Sequence, residues 1–82
     1  MGPAVITVFL EYAAILDLQD LPNHGRLSLQ AGTTVADLLR RGRVREDQLH
    51  TVVAALNGVR RRLDTVLQDG DRLALRLPVG GG

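Results

Sequence analysis

Few residues in this sequence have types and spacing suited to chemistry, and the most reactive group stands at its end. Gly80, Gly81 and Gly82 follow Pro78 and Val79 and place a main-chain carboxylate on a run without side chains. Glycine has no Cβ and a wide range of φ and ψ, so such a tail threads a narrow channel and presents its carbonyl carbon unhindered. Fraying also concentrates at termini, but here the glycines directly follow a strongly patterned strand, which favours use over fraying. The other candidates offer less. His24 and His50 belong to no pattern of the kind that holds a metal. Ser28 sits in a strand-like stretch without a nucleophile elbow, and no Ser, His, Asp constellation is apparent. The sequence has no cysteine, which excludes a disulfide, a thiolate nucleophile and a Cys-based zinc site within this chain. The expectation is a chain that is not itself an enzyme and binds no cofactor or metal stably, with any reaction at Gly82 performed by a partner.

Charge and composition narrow the partners. All ten basic residues are arginine, against nine acidic ones, for a net charge of +1. The N-terminus is then the one amine within the chain. Arginines cluster at Arg40, Arg41, Arg43 and Arg45 and again at Arg60, Arg61 and Arg62, interspersed with Glu46, Asp47 and Asp64, as on a solvated face. Phe9 and Tyr12 are the aromatic residues, so stacking platforms for single-stranded nucleic acid are nearly absent and nucleic-acid binding is disfavoured. Apolar runs such as Val52 to Leu56 are far too short to span a bilayer, and no signal-peptide pattern opens the sequence. Expected are no membrane partner and a cytoplasmic location.

The elements that must position the tail fit one small domain. With 82 residues, 45% of them hydrophobic, the chain supports a single core and leaves little room for an internal cavity. Val5 to Tyr12 reads as a strand apolar on both faces, Ile6, Val8 and Leu10 on one and Val5, Thr7 and Phe9 on the other, as suits a strand flanked on both sides. Residues 13–26 contain Pro22, Asn23 and Gly25 and read as a loop or short irregular helix before a second strand, Leu27 to Gln30. Thr34 and Asp37 have the spacing of a capping box, and Val35, Leu38 and Leu39 share one face of a helix of about two to three turns ended by Gly42. An exposed charged stretch from Arg43 to His50 leads to a third strand over Thr51 to Leu56. The Asn57-Gly58 pair marks a hairpin returning through Val59 to Arg62. Leu63 to Leu67 reads as a short turn or helix, Gln68 to Asp71 as a tight turn, and Arg72 to Leu77 as a last strand with Leu73, Leu75 and Leu77 inward. The class is α+β, a mixed four- to five-stranded sheet around one helix, with a domain over residues 1–77 and a flexible tail over 78–82. Arg72 and Arg76, on the outward face beside the tail, are candidates for steering an acidic partner surface, Pro78 is a further docking candidate, and Phe9 with Val5 and Thr7 forms either an apolar patch through which the sheet meets a partner or ordinary core packing.

Three stretches carry a resemblance to a known family. They are Ala31 to Leu39 (AGTTVADLL), Ala55 to Gly58 (ALNG), and Asp64 to Leu77 (DTVLQDGDRLALRL) running into Pro78 and the glycines. In order and spacing, over most of the chain, they resemble the ThiS/MoaD sulfur carriers. The resemblance implies a ubiquitin-like β-grasp fold and a C-terminal Gly-Gly that an adenylating enzyme of the ubiquitin-activating type, using ATP and Mg, converts to an acyl-adenylate. Sulfur from a donor then makes a thiocarboxylate on Gly82, while Gly80 and Gly81 thread the partner's site. The implied partners are that enzyme, a sulfur donor, and a large catalytic synthase subunit or a thiazole synthase. The stretch from Leu63 to Asp71 and Pro78 are similar to the molybdopterin or tungstopterin branch, and the compact segment after the helix and the Val79 to Gly82 end to the thiamin branch. A protein modifier joined through Gly82 to lysines of its targets is the alternative in the same family of folds, and a basic RNA-binding module the alternative outside it.

Overall fold

The computed structural model describes residues 4–13, 16 and 18–78. Alternation of apolar residues sets the first strand, β1 (Val5–Tyr12). Ile6, Val8 and Leu10 turn to the core, and Val8 and Leu10 are almost fully enclosed. Along its length runs antiparallel β2 (Gly25–Gln30), with Ile6 opposite Leu29 and Val8 opposite Leu27. This strand starts two residues earlier than the Leu27 to Gln30 expected, because Gly25 and Arg26 extend the pairing to Leu10 and Phe9. The helix α1 (Val35–Arg41) follows, then a 3₁₀ helix (Glu46–Thr51), β3 (Val53–Leu56), β4 (Val59–Arg61) and β5 (Arg72–Arg76).

The five strands lie in the order β2-β1-β5-β3-β4. The last strand therefore enters the middle of the sheet, parallel to β1 and antiparallel to β3. A parallel neighbour requires a crossover, and α1 lies within it, burying Val35, Leu38 and Leu39 completely. These three join Ile6, Leu10, Leu29, Leu56, Leu73 and Leu75 in one core cluster. The arrangement is the ubiquitin-like β-grasp expected from the sequence.

The ends of α1 are fully specified. Thr34 and Asp37 form a capping box: the Asp37 N–H donates to Thr34 Oγ1 and the Thr34 N–H to Asp37 Oδ2, both at 3.1 Å. Two earlier donors go to the segment before β5. The Val35 N–H bonds the Thr65 carbonyl at 3.1 Å and the Ala36 N–H that of Leu63 at 2.8 Å, so residues 63–67 open on the expected turn, closed by the Thr65 N–H on the Arg62 carbonyl at 3.1 Å, and continue as a strap that satisfies the start of α1. Leu67, at the end of this strap, is buried. At the other end Gly42 is the cap but has φ of −79°, and the left-handed residue is Arg43 at φ 68°. The N–H groups of Arg43 and Val44 reach the carbonyls of Arg40 and Leu39 at 2.9 and 3.0 Å, the paired bonds of a Schellman ending. Gly42 is needed for a different reason: a Cβ there would lie 2.9 Å from Leu21 Cδ1 and 3.3 Å from Leu18 Cβ.

The charged stretch after α1 is more ordered than its composition implies. Leu49 is buried at 8% exposure, and the chain turns as a 3₁₀ helix to place it, delaying β3 to Val53. Asn57 and Gly58 then make the expected hairpin with φ of 53° and 85°. Both residues being left-handed matches the twist of a two-residue hairpin loop.

Candidate functional site

The side of the sheet opposite α1 holds the outward-turned residues of every strand, and no described element covers it. Alternation brings Phe9 of β1 opposite Arg26 of β2 and Arg72 of β5. Neighbouring them, Glu11 stands opposite Ala74, Ala74 opposite Ala55, and Ala55 opposite Arg60. Arg76 pairs with Val53. Phe9 is neither a core residue nor a bare patch: half-buried, it lies under the Arg72 guanidinium, whose Cζ is 5.1 Å from the ring centroid. Val5, farther along the same face, is 56% exposed. Of the docking candidates named from the sequence, Phe9, Arg72 and Arg76 are thus on one surface. Pro78 is exposed just past β5, and Leu77 before it packs half-buried against the core. Gly80, Gly81 and Gly82 lie outside the described residues.

A shallow groove of ≈ 410 Å³ opens beside β4 near His50, Arg60 and Arg62. A second, of ≈ 460 Å³, lies on the open face with Glu11, Val53, Ala55, Arg60, Ala74 and Arg76 in its lining. The second is continuous with the root of the tail through β5. Sequence reading missed Arg60, Ala55 and Ala74 as its partners, because their place depends on pairings of β3 with β5 and β4 that no local pattern states. The visible signal was the alternation of Val53 and Ala55 with buried Ala54 and Leu56.

Ion pairing differs between the two sides. Near α1, Arg40 contacts Glu46 at 2.6 Å and Asp37 at 3.1 Å, Arg45 contacts Asp47 at 3.2 Å, and Arg43 lies 3.7 Å from Asp20. Arg62 lies 3.5 Å from Asp64. Among the described residues, Arg26, Arg60, Arg72 and Arg76 have no ion-pair partner, and all four belong to the open face. Arg41 on α1 and Arg61 on the other side of β4 lack one as well, but neither adjoins that face. The cluster from Arg40 to Arg45 is therefore largely neutralised in place, whereas the open face presents uncompensated cations. Asp37 is held below the usual aspartate range, first by the backbone and side chain of Thr34 and then by Arg40. Arg40 is raised further by its bond to Glu46.

His24 is on an exposed bend and His50 on the exposed side of the 3₁₀ helix, and no three of His, Cys, Asp or Glu among the described residues converge on a point where a metal would sit. Among the same residues no helix is long and apolar enough to cross a membrane. Among the described residues the candidate site is therefore the open face of the sheet around Phe9, Arg72 and Arg76.

Comparison with known proteins gives this geometry its setting. The ThiS family model matches residues 15–82, and so includes the terminal glycines. No curated protein matches the chain. Among solved structures, the putative molybdopterin converting factor, subunit 1 from Pyrococcus furiosus is similar with a TM-score of 0.59 and 22% identity over 90% of this chain and 99% of that one. Small archaeal modifier protein 1 from Haloferax volcanii is similar with a TM-score of 0.61 and 23% identity over 94% of this chain and 100% of that one. At these identities the two structures attest the fold.

Proposed function

This chain belongs to the ThiS family, and on that footing we propose that it is a sulfur carrier whose Gly82 carboxylate is activated and then loaded with sulfur for cofactor biosynthesis. The observation that supports this most is the match to the family through Gly82, on a domain whose last strand runs along its docking face and leads straight to the tail. A carboxylate resists substitution because its oxygen is a poor leaving group. One carboxylate oxygen of Gly82 attacks the α-phosphorus of ATP, pyrophosphate leaves, and a mixed anhydride forms. A persulfide sulfur of the donor attacks the carbonyl carbon, and AMP departs with the oxygen. A thiolate then cleaves the resulting acyl disulfide by thiol–disulfide exchange, leaving the thiocarboxylate on Gly82 and a disulfide on the donor.

Each catalytic task in this scheme falls to the partner, an adenylating enzyme of the ubiquitin-activating type that supplies the nucleotide site, the Mg ion and the stabilisation of developing charge. The carrier contributes the acyl group, the reach and the recognition surface. Six residues follow Arg76, the end of the last strand, and an extended chain spans at most about 3.3–3.6 Å per residue, so in this reading the partner's reacting centre lies within roughly 21 Å of that strand's end. Gly80 and Gly81 fit a channel too narrow for side chains. The sulfur in this reading goes into the making of molybdopterin or tungstopterin, on a large catalytic synthase subunit in the cytoplasm; the thiamin route, through a thiazole synthase, is the alternative within the family.

Intact-mass analysis tests the proposal. After incubation with a cognate adenylating enzyme, ATP and a persulfide donor, the chain gains the mass of sulfur for oxygen at Gly82. An unchanged mass with an enzyme proven active on another carrier contradicts it. The similarity to a small archaeal modifier protein favours a second reading in which the activated Gly82 is joined to lysines of other proteins. Higher-mass conjugates surviving a denaturing gel would mark that use, and their absence beside a sulfur-loaded tail marks the carrier.

A further inference from the structure

The ladder between β3 and β4 ends at the pair Ala54 and Arg61. Beyond it the two chains part. The β3 side turns back into the 3₁₀ helix, where the Val52 N–H bonds the Leu49 carbonyl at 3.1 Å, and the β4 side turns away where the Thr65 N–H bonds the Arg62 carbonyl at 3.1 Å. The groove of ≈ 410 Å³ beside β4 lies in this fork. Buried Val52 and Ala54 and half-buried Leu63 make its apolar part. His50, Arg60, Arg61 and Arg62 are exposed and line the rest together with Val53, and no carboxylate shares the lining. Among the described residues Arg60 and Arg61 have no ion-pair partner. Arg62 lies 3.5 Å from Asp64, but both side chains are more than two-thirds exposed, so that pair is worth little. Three guanidiniums and an imidazole thus share one concavity at the sheet's edge, where β4 is the outer strand.

We infer that this fork binds a linear polyphosphate, free or as the phosphate end of a nucleotide, through the guanidiniums of Arg60, Arg61 and Arg62 and the ring of His50. The site stands apart from Gly82 and independently of the carrier reading. Like charges on three successive residues repel one another, and a multivalent anion held between them removes that cost. Each guanidinium offers a planar fork of donors that matches two phosphate oxygens. A charged outer strand also discourages pairing with other chains, but that role needs neither His50 nor a concave lining free of carboxylates. The volume falls within the range of about 300–1,000 Å³ usual for small-molecule sites. A small anion fits better than a protein or a nucleic acid. The cations gather in a cleft rather than across a broad contact area. A nucleic-acid strand running on past Arg62 meets Asp64, which repels phosphate, and the lining holds no Phe, Tyr or Trp on which a base would stack.

The test titrates the full chain with sodium tripolyphosphate, with ATP and with single-stranded RNA oligomers of increasing length, in magnesium-free buffer of low ionic strength. Calorimetry reads affinity, and the backbone amide shifts in nuclear magnetic resonance spectra read position. Arg60→Gln and Arg61→Gln probe the fork. Arg41→Gln, which removes an exposed arginine of α1 that has no ion-pair partner among the described residues, is the control. Thermal midpoints first establish that all three variants fold. Tripolyphosphate should bind one to one and shift the amides of His50, Val52, Arg61 and Leu63. Losing one charge-assisted contact should weaken it about tenfold in either fork variant, and Arg41→Gln should leave it unchanged. ATP bound as tightly as tripolyphosphate supports the inference with the phosphates as the whole ligand. ATP bound more tightly, with larger shifts at Val52 and Leu63, supports it with a nucleotide whose base covers the apolar part. No binding at millimolar tripolyphosphate overturns it, as does an equal loss in Arg41→Gln or a response centred on Arg72 and Arg76. RNA bound more tightly than tripolyphosphate, with affinity rising with length, overturns it in favour of nucleic acid. Each of these outcomes leaves the carrier reading where it stands, because Gly82 takes no part.

Discussion

At the scale of single residues, stability turns on backbone conformations and on one carboxylate. Arg43 adopts φ 68° in the position of a Schellman ending that glycine usually occupies. Replacing it with glycine removes a Cβ clash and should stabilise the fold by about 0.5–1 kcal/mol, raising the thermal midpoint by a few degrees in a domain this size. The helix stop was legible at Gly42, but its form was not: the left-handed residue is Arg43, a residue type that gives no local signal for that conformation. Asp37 supplies a pH dependence whose sign follows from its lowered pKa. Above the usual aspartate range it is ionised in both folded and unfolded chains, and the folded state keeps the benefit of the Thr34 and Arg40 contacts. As pH falls, the unfolded chain takes up the proton first, so stability drops through that range and on through the lower folded value. Urea midpoints at neutral and strongly acidic pH should therefore differ less for Asp37→Asn than for the parent. An equal difference would show that the capping box is not the acid-sensitive group.

Among the elements, those defined by local pattern were readable in advance and those defined by distant contact were not. The alternation in β1 and β5, the Thr34 cap and the Asn57-Gly58 turn each depend on residues a few positions apart. The 3₁₀ helix was hidden because it exists to bury Leu49, one apolar residue within a charged stretch. Within residues 63–67 the turn was readable but the strap was not, because the carbonyls of Leu63 and Thr65 serve the start of α1. The open face was readable in part: Phe9, Arg72 and Arg76 stood out as outward residues, whereas Arg60 joined them only through the registers of β4 against β3 and of β3 against β5. Two substitutions probe this level. Leu38→Ala removes a fully buried contact between α1 and the core and should cost about 3 kcal/mol in chemical denaturation. Asn57 accepts a bond from the Arg72 N–H at 3.0 Å and donates to Asp71 at 2.9 Å, besides holding φ 53°. Asn57→Ala loses the bonds and strains the turn, for a total of roughly 2 kcal/mol. Asn57→Gly loses the bonds alone and should fall between Asn57→Ala and the parent.

The whole molecule divides its labour between two faces and an end. One face of the sheet is spent on α1 and the core. Opposite it, arginines without ion-pair partners among the described residues border a shallow groove, and the strand between Ala55 and Glu11 is the one that leads to the tail. A rigid body that presents a partner with both a contact surface and the base of a short reach suits delivery of a terminal acyl group, and has little use for an interior pocket. Carrier function depends most on the chemistry of the last carbonyl, and pyrophosphate exchange reads that chemistry directly. With the adenylating enzyme, labelled pyrophosphate should enter ATP when the parent chain is present, because formation of the Gly82 adenylate is reversible. The same chain with its C-terminal carboxylate amidated should support none. Exchange undiminished by that amidation would contradict the carrier reading, whatever the fold and the docking face allow.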